Sequence, residues 1–272
     1  MQYDPIKRSL GKVFDRTPFL RKVFYRLLDL LLLRAWHIHK ELRAFEKTAS
    51  KSLEVLDAGS GFGQYTFWMN QRHPDWNITA IDVKEEQVED CNDFFKAIGQ
   101  EERVRFQVGD LTTYRSEETY DLVICVDVME HIEEDVEVFK NYFVSLKPGA
   151  MLLVSTPSDQ GGSGLDDHTE GEVHGFIDEH VRDGYNINEI KEKLTSAGFS
   201  RVEAHFQYGR PGSIAWRLSM MYPMKALNVT KLFFVLLPFY YLITYPFCYV
   251  LNWMDVNGNH SRGSGLVVKA WK

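Results

Sequence analysis

The stretch "SLEVLDAGSGFGQYTFWMN", residues 52–70, restricts the possible folds of this chain more than any other. Leu53, Val55 and Leu56 form a short β-prone run, Gly59, Gly61 and Gly63 follow at spacing two, and a helical pattern begins at Gln64. The segment therefore reads as strand, glycine turn and helix. Further strands are expected in "NITAIDV", "VRFQVGD", "YDLVICVDV", "GAMLLVSTP" and "FSRVEAHFQY", with helices over 84–98, 113–119 and 132–146 between them. Asn186 with Glu189 three residues on can cap another helix, and Gly198 can end it. Strands with near-continuous apolar cores that alternate with helices indicate an α/β fold with a parallel sheet covered on both faces.

In such sheets ligands bind beyond the carboxyl ends of the strands, near the switch in strand order. The glycine turn lies there. Asp82 ends the second strand, where a carboxylate can accept from both ribose hydroxyls, and Asp110 ends the third in "VGD", where it can meet an adenine amine. A dinucleotide fingerprint, G-x-G-x-x-G, would need a third glycine at position 64, which is Gln64. The spacing is instead D-x-G-x-G-x-G from Asp57 to Gly63, and an acidic residue in that turn favours a ligand with positive charge over a pyrophosphate.

These segments resemble the class I S-adenosylmethionine-dependent methyltransferases. "VLDAGSGFG" is similar to their first motif, "AIDV" to the second and "VGD" to the third, while "YDLVICVDVMEHI" and "LKPGAMLLVSTP" are similar to the next two. The resemblance implies a Rossmann-like doubly wound sheet whose last strand, "SGLVVKAWK", is antiparallel and inserted between its neighbours. It also implies roles in binding S-adenosyl-L-methionine. Asp57 and the backbone of Gly59, Gly61 and Gly63 would hold the methionine part, Asp82 with Val83 the ribose, Asp110 with Leu111 the adenine, and Val126 with Asp127 the sulfonium end.

Two parts lie outside that pattern, and the charge marks them. The net charge is −7, yet residues 1–34 carry eight Lys/Arg against three Asp and residues 209–262 five against one. The body between them is strongly acidic, which is not a nucleic-acid binder's distribution. Residues 1–50 are expected to form a basic amphipathic helical cap, 51–208 and 263–272 the Rossmann-like domain, and 209–262 an apolar helical insertion before the last strand. Within the cap, Leu20, Val23, Phe24, Leu27, Leu28 and Leu31 share one helical stripe. Within the insertion, residues 232–254 lack any charge. If the last strand rejoins the sheet, a single crossing of a membrane is excluded. Pro238 and Pro246 are expected to break the run into short pieces that are re-entrant or lie on a surface. Basic residues beside apolar faces suit docking on an anionic lipid surface. The alternative is an internal lid or a homodimer contact.

Three widely spaced cysteines suggest neither a disulfide framework nor a zinc site. The N-terminal residues do not read as a secretory signal, so the expected location is cytoplasmic, peripheral on the inner face of the membrane. For chemistry, "DVMEHI" offers Asp127, Glu130 and His131. It is similar to an acidic stretch that ubiquinone-pathway O-methyltransferases link to a divalent cation, but visible ligands are too few, and no metal is expected. The acidic, glycine-rich segment after the fifth strand faces the acceptor in this fold and holds His168, His174 and His180. His131, His174 and His180 are the candidate catalytic bases, since imidazole titrates near neutrality; His37 and His39 are weaker candidates. The expected activity is methyl transfer to a hydrophobic small molecule (lipid, quinone-like or phenolic), at oxygen first and carbon second. Alternatives are a soluble C- or N-methyltransferase and a non-catalytic scaffold that binds the cofactor.

Overall fold

The computed structural model describes residues 17–161, 181–230 and 233–272. Its centre is one seven-stranded sheet in the order β3-β2-β1-β4-β5-β7-β6. The strands are β1 (Glu54–Ala58), β2 (Asn77–Asp82), β3 (Val104–Val108), β4 (Tyr120–Val126), β5 (Leu146–Pro157), β6 (Arg201–Gln207) and β7 (Gly265–Trp271). β1 to β5 are parallel, and β7 runs antiparallel between β5 and β6. This is the doubly wound, Rossmann-like sheet with an inverted last strand.

Adjacent residues of a strand face opposite sides, and here both sides are dry. Leu56, Val123 and Leu152 enter one apolar core with Phe139 and Tyr142. Val55, Leu122 and Leu153 enter the other with Phe67, Phe94 and Trp76. The covering helices include α3 (Gln64–Arg72), α4 (Glu85–Ala97), α5 (Asp135–Ser145) and α6 (Ile187–Ser196). The helix expected over 113–119 is absent. The Asp110 carboxylate instead accepts from Thr112 N and Thr112 Oγ1, a local turn that competes with helix.

The cap is two helices, α1 (Pro18–Leu31) and α2 (Leu33–Glu46), separated by extended Leu32 (φ −87°, ψ 111°). Its apolar stripe is only half-buried: Phe24 packs against the core, while Leu27 is exposed. Arg21 and Tyr25 are the buried residues of α1. The Arg21 guanidinium donates to Tyr25 Oη at 2.8 Å, to Asp90 O at 2.8 Å and to Cys91 Sγ at 3.0 Å; Tyr25 Oη donates to Phe62 O at 2.5 Å. The surface beneath α1 presents the carbonyls of Phe62 and Asp90, and one guanidinium can donate to several acceptors at once. Phe19, Leu27 and Leu30 are left exposed.

Between β6 and β7 the chain makes a helical hairpin. The outgoing arm is α7 (Arg210–Trp216), a π-turn (Arg217–Met221) and α8 (Tyr222–Val229); the returning arm is α9 (Phe233–Asn257). The prolines do not break α9 as expected. Pro238 and Pro246 both lie on its exposed face, where the carbonyls of Phe234 and Leu242, which lose their helical donors, can tilt outward. At the hairpin base Asp255, fully buried, accepts from His37 Nε2 at 2.9 Å, Tyr208 N at 3.1 Å and Gly212 N at 2.9 Å. Burial opposes its charge, but these partners and His260 hold its pKa below the usual carboxylate value.

Candidate functional site

Strand register sets three tips level. Asp57 pairs with Ala80 in β2, and Asp82 with Val108 in β3. Asp57, Asp82 and the Gly109–Asp110 step therefore stand along one carboxyl edge. β1 and β4 are neighbours where the strand order reverses, which is where a crevice opens in sheets of this kind.

The turn after β1 needs its glycines for two different reasons. A Cβ on Gly59 (φ +75°) would come within 2.2 Å of Val128 Cγ2, so close packing demands the bare backbone. At Gly61 (φ +52°) a Cβ would meet nothing within 4 Å, so that part of the turn faces open space and presents its backbone there. Gly63 (φ +75°) closes the turn and caps α3. Asp82 fastens the turn: Oδ2 accepts from Gly61 N at 2.8 Å and Oδ1 from Lys84 N at 2.9 Å. Each oxygen keeps a second lone pair for a ligand hydroxyl.

The other expected cofactor residues are distributed around this turn. Val83 is 54% exposed on the open side. Asp110 is exposed, with Oδ1 committed to Thr112 and Oδ2 available. Leu111 has its side chain in the core and offers a ligand its backbone. Val126 and Asp127 end β4, and Asp127 adopts φ +51° while its N–H bonds Ser155 O at 2.8 Å. Asp57 is buried and accepts from Thr66 Oγ1 at 2.6 Å. Burial pushes its pKa up to about 7; the Thr66 hydrogen bonds oppose the rise and the Asp82 charge adds to it.

One component escaped the sequence reading. Arg34, in the first turn of α2, reaches the strand tips and forms an ion pair with Asp127. Burial works against the charge on Arg34, but Tyr65, Tyr208 and Glu130 around it raise its pKa. The available signal was its position as the one charge closing "LLLLR", yet only the break at Leu32 aims it. Among the described residues, Arg34 Nε, Tyr65 Oη and Ser60 Oγ are buried without a hydrogen-bond partner. Carboxylates at Asp57 and Asp127, a guanidinium, bare backbone at Gly61 and a hydroxyl acceptor at Asp82 together suit a nucleoside that carries cationic groups and a carboxylate.

Among the catalytic candidates, His131 lies in a 3-10 turn (Met129–His131) directly after β4. Glu130 beside it is buried and accepts from Thr156 Oγ1 at 3.2 Å. Burial raises its pKa, while His131 and Arg34 act in the opposite direction. His174 and His180, with His168, lie outside the described residues. His37 is committed to Asp255. His39 stacks on Trp68 (centroids 4.3 Å apart), and burial, with Arg43 and Arg72 nearby, lowers its pKa to about 3, so it is no base near neutrality. Among the described residues no group of three or more His, Cys, Asp and Glu is arranged to hold a metal.

Residues 55–149 match a family described as a methyltransferase domain. The chain is 31% identical over 155 residues to phosphoethanolamine N-methyltransferase 1 of Triticum aestivum, a match that covers 56% of this chain and 29% of the wheat protein. It thus spans under a third of the length of that relative. It is 26% identical over 191 residues to the ubiquinone biosynthesis O-methyltransferase of Rickettsia felis, which covers 69% of this chain and 76% of that protein. Its fold is similar to that of Haemonchus contortus phosphoethanolamine N-methyltransferase 2, solved with phosphomonomethylethanolamine and S-adenosylhomocysteine. That likeness has a TM-score of 0.60 and 16% identity and covers 86% of this chain and 52% of the other.

Proposed function

We propose that this chain carries a class I S-adenosylmethionine-dependent methyltransferase domain and that it methylates a hydrophobic small molecule, at oxygen, from a peripheral position on a membrane. S-adenosylmethionine is the donor and supplies an electrophilic methyl group on a cationic sulfur. The chain's own residues bind and orient it. In this reading Asp57 and Asp127 present negative charge to its cationic groups, Arg34 takes its carboxylate, Asp82 with Val83 the ribose, and Asp110 the adenine. An oxygen acceptor must also lose a proton, and we assign that role to His131, in the turn after β4, with His174 and His180 as the other candidates.

The single observation that carries the acceptor class is the surface around the site. Leu27 and Leu30 on α1 are exposed, and Tyr245 Oη of α9, the helix with the apolar outer face, donates to Leu30 O at 2.7 Å. The cap that delivers Arg34 is thus continuous with the most apolar surface of the molecule. The name of the rickettsial relative supports a quinone-like or phenolic acceptor and oxygen as the methylated atom. The name of the wheat relative favours a second reading, N-methylation of a small amine.

Mass spectrometry of membrane lipid extracts incubated with the enzyme and methyl-labelled cofactor tests both readings. One labelled apolar species with an O-methyl fragment is expected. Label found only in water-soluble amines would overturn the first reading in favour of the second.

A further inference from the structure

We propose that the hairpin of residues 210–257 lies flat in the interface of an anionic bilayer, with α9 against the acyl chains and the outgoing arm at headgroup level. This rests on the membrane reading above and adds an orientation to it.

The two arms have different surfaces. Every exposed residue of α9 from Phe234 to Met254 is apolar, including Val235, Phe239, Leu242, Ile243, Phe247 and Trp253. This face continues along the whole helix, about 37 Å at 1.5 Å per residue, and does not end at a tip. The exposed residues of the outgoing arm include Arg210, Arg217 and Lys225 and no acid, beside the apolar Ile214, Tyr222 and Val229. A hairpin with one arm exposing only apolar residues and its described cations all on the other arm is amphipathic, as an interfacial element must be.

An upright hairpin fits less well. It would carry Arg217, midway along the arm, into the hydrocarbon centre, where a lone cation is costly. At the interface, headgroups and water satisfy it. Crossing in one pass is ruled out by the sheet, because Gln207 and Gly265, at either end of the insertion, pair directly. Charge complementarity with anionic headgroups favours lipid over a second copy of this face, which brings no compensating acid.

The test uses the full chain with single cysteines at Val235, Ile243, Val250 and Ile214, each carrying an environment-sensitive fluorophore. The native cysteines are buried and need no removal. Proteins are bound to phosphatidylcholine vesicles with or without phosphatidylglycerol, and depth is read with lipids quenching at shallow or deep acyl positions. Equal depth for positions 235, 243 and 250, with 214 shallower, supports the proposal. So does a loss of about 10- to 100-fold in affinity for the anionic vesicles in Arg210→Gln/Arg217→Gln/Lys225→Gln, with S-adenosylhomocysteine affinity unchanged. Depth that increases steadily from 250 to 235 overturns the flat orientation but leaves membrane association standing. Failure to bind vesicles, or labels already shielded in a lipid-free dimer, overturns both without touching methyl transfer to a dispersed acceptor.

Discussion

Arg34 of the cap and Asp127 at the tip of β4 form an ion pair that joins the N-terminal helices to the sheet edge. The pair spans about ninety residues of sequence, and it puts a cation among carboxylates that alone would repel the acid group of an amino-acid ligand. Arg34→Gln should lower affinity for S-adenosylhomocysteine about 10- to 100-fold, the equivalent of the roughly 1.5–3 kcal/mol of a hydrogen bond to a charged group. Titration calorimetry reads the loss. A thermal midpoint within a few degrees of the wild type would show that the fold survives.

The two glycines of the turn should separate stability from binding. Gly61→Ala has room for its methyl but must hold positive φ, at a cost of about 1–2 kcal/mol; the added group occupies the open side of the turn, so cofactor binding should fall more than stability does. Gly59→Ala has the same backbone cost plus a clash with Val128, so both should fall. Denaturant titrations with and without S-adenosylhomocysteine distinguish the two patterns.

Asp57 should give the protein a neutral-range titration. Its folded pKa is raised from 3.8 to about 7, so the folded state binds an extra proton between those values. Stability therefore falls as pH rises from about 4 to about 7, while affinity for a cationic ligand rises as the carboxylate ionises. Asp57→Asn should flatten both profiles and raise stability near neutrality by on the order of 2 kcal/mol. Thermal midpoints and calorimetry across that range provide the comparison.

Asp255 should act in the opposite direction. Its folded pKa is depressed, so its contribution is full above the ordinary carboxylate value and disappears as pH falls through the folded value. Asp255→Ala strands His37 and two backbone N–H groups and should cost about 3–5 kcal/mol. Urea unfolding at neutral pH should show that loss, and the variant should lose less further stability on acidification than the wild type.

The strand tips were legible in advance because their signal is local. A β-prone run, glycines at spacing two and carboxylates closing successive strands sit within a few residues of one another, and parallel pairing then has little choice about placing them side by side. That Leu111 turns its side chain into the core could not be read in advance, because adjacency to Asp110 says nothing of which way a side chain points. The helix over 113–119 was lost to a side chain that bonded its own turn.

What the amino-acid order determined by itself is therefore the sheet, its glycine turn and the charge division between the body and its appendages, all carried by short-range pattern. Tertiary structure alone decided the rest. It turned Arg21 inward and left Leu27 and Leu30 exposed, because the Phe62 and Asp90 carbonyls and the Cys91 sulfur under α1 are acceptors that one guanidinium reaches together. It kept α9 whole through two prolines by placing them where no neighbour needs the missing N–H. It carried Arg34 to Asp127, since a break at one residue redirects a helix in a way that periodicity cannot reveal.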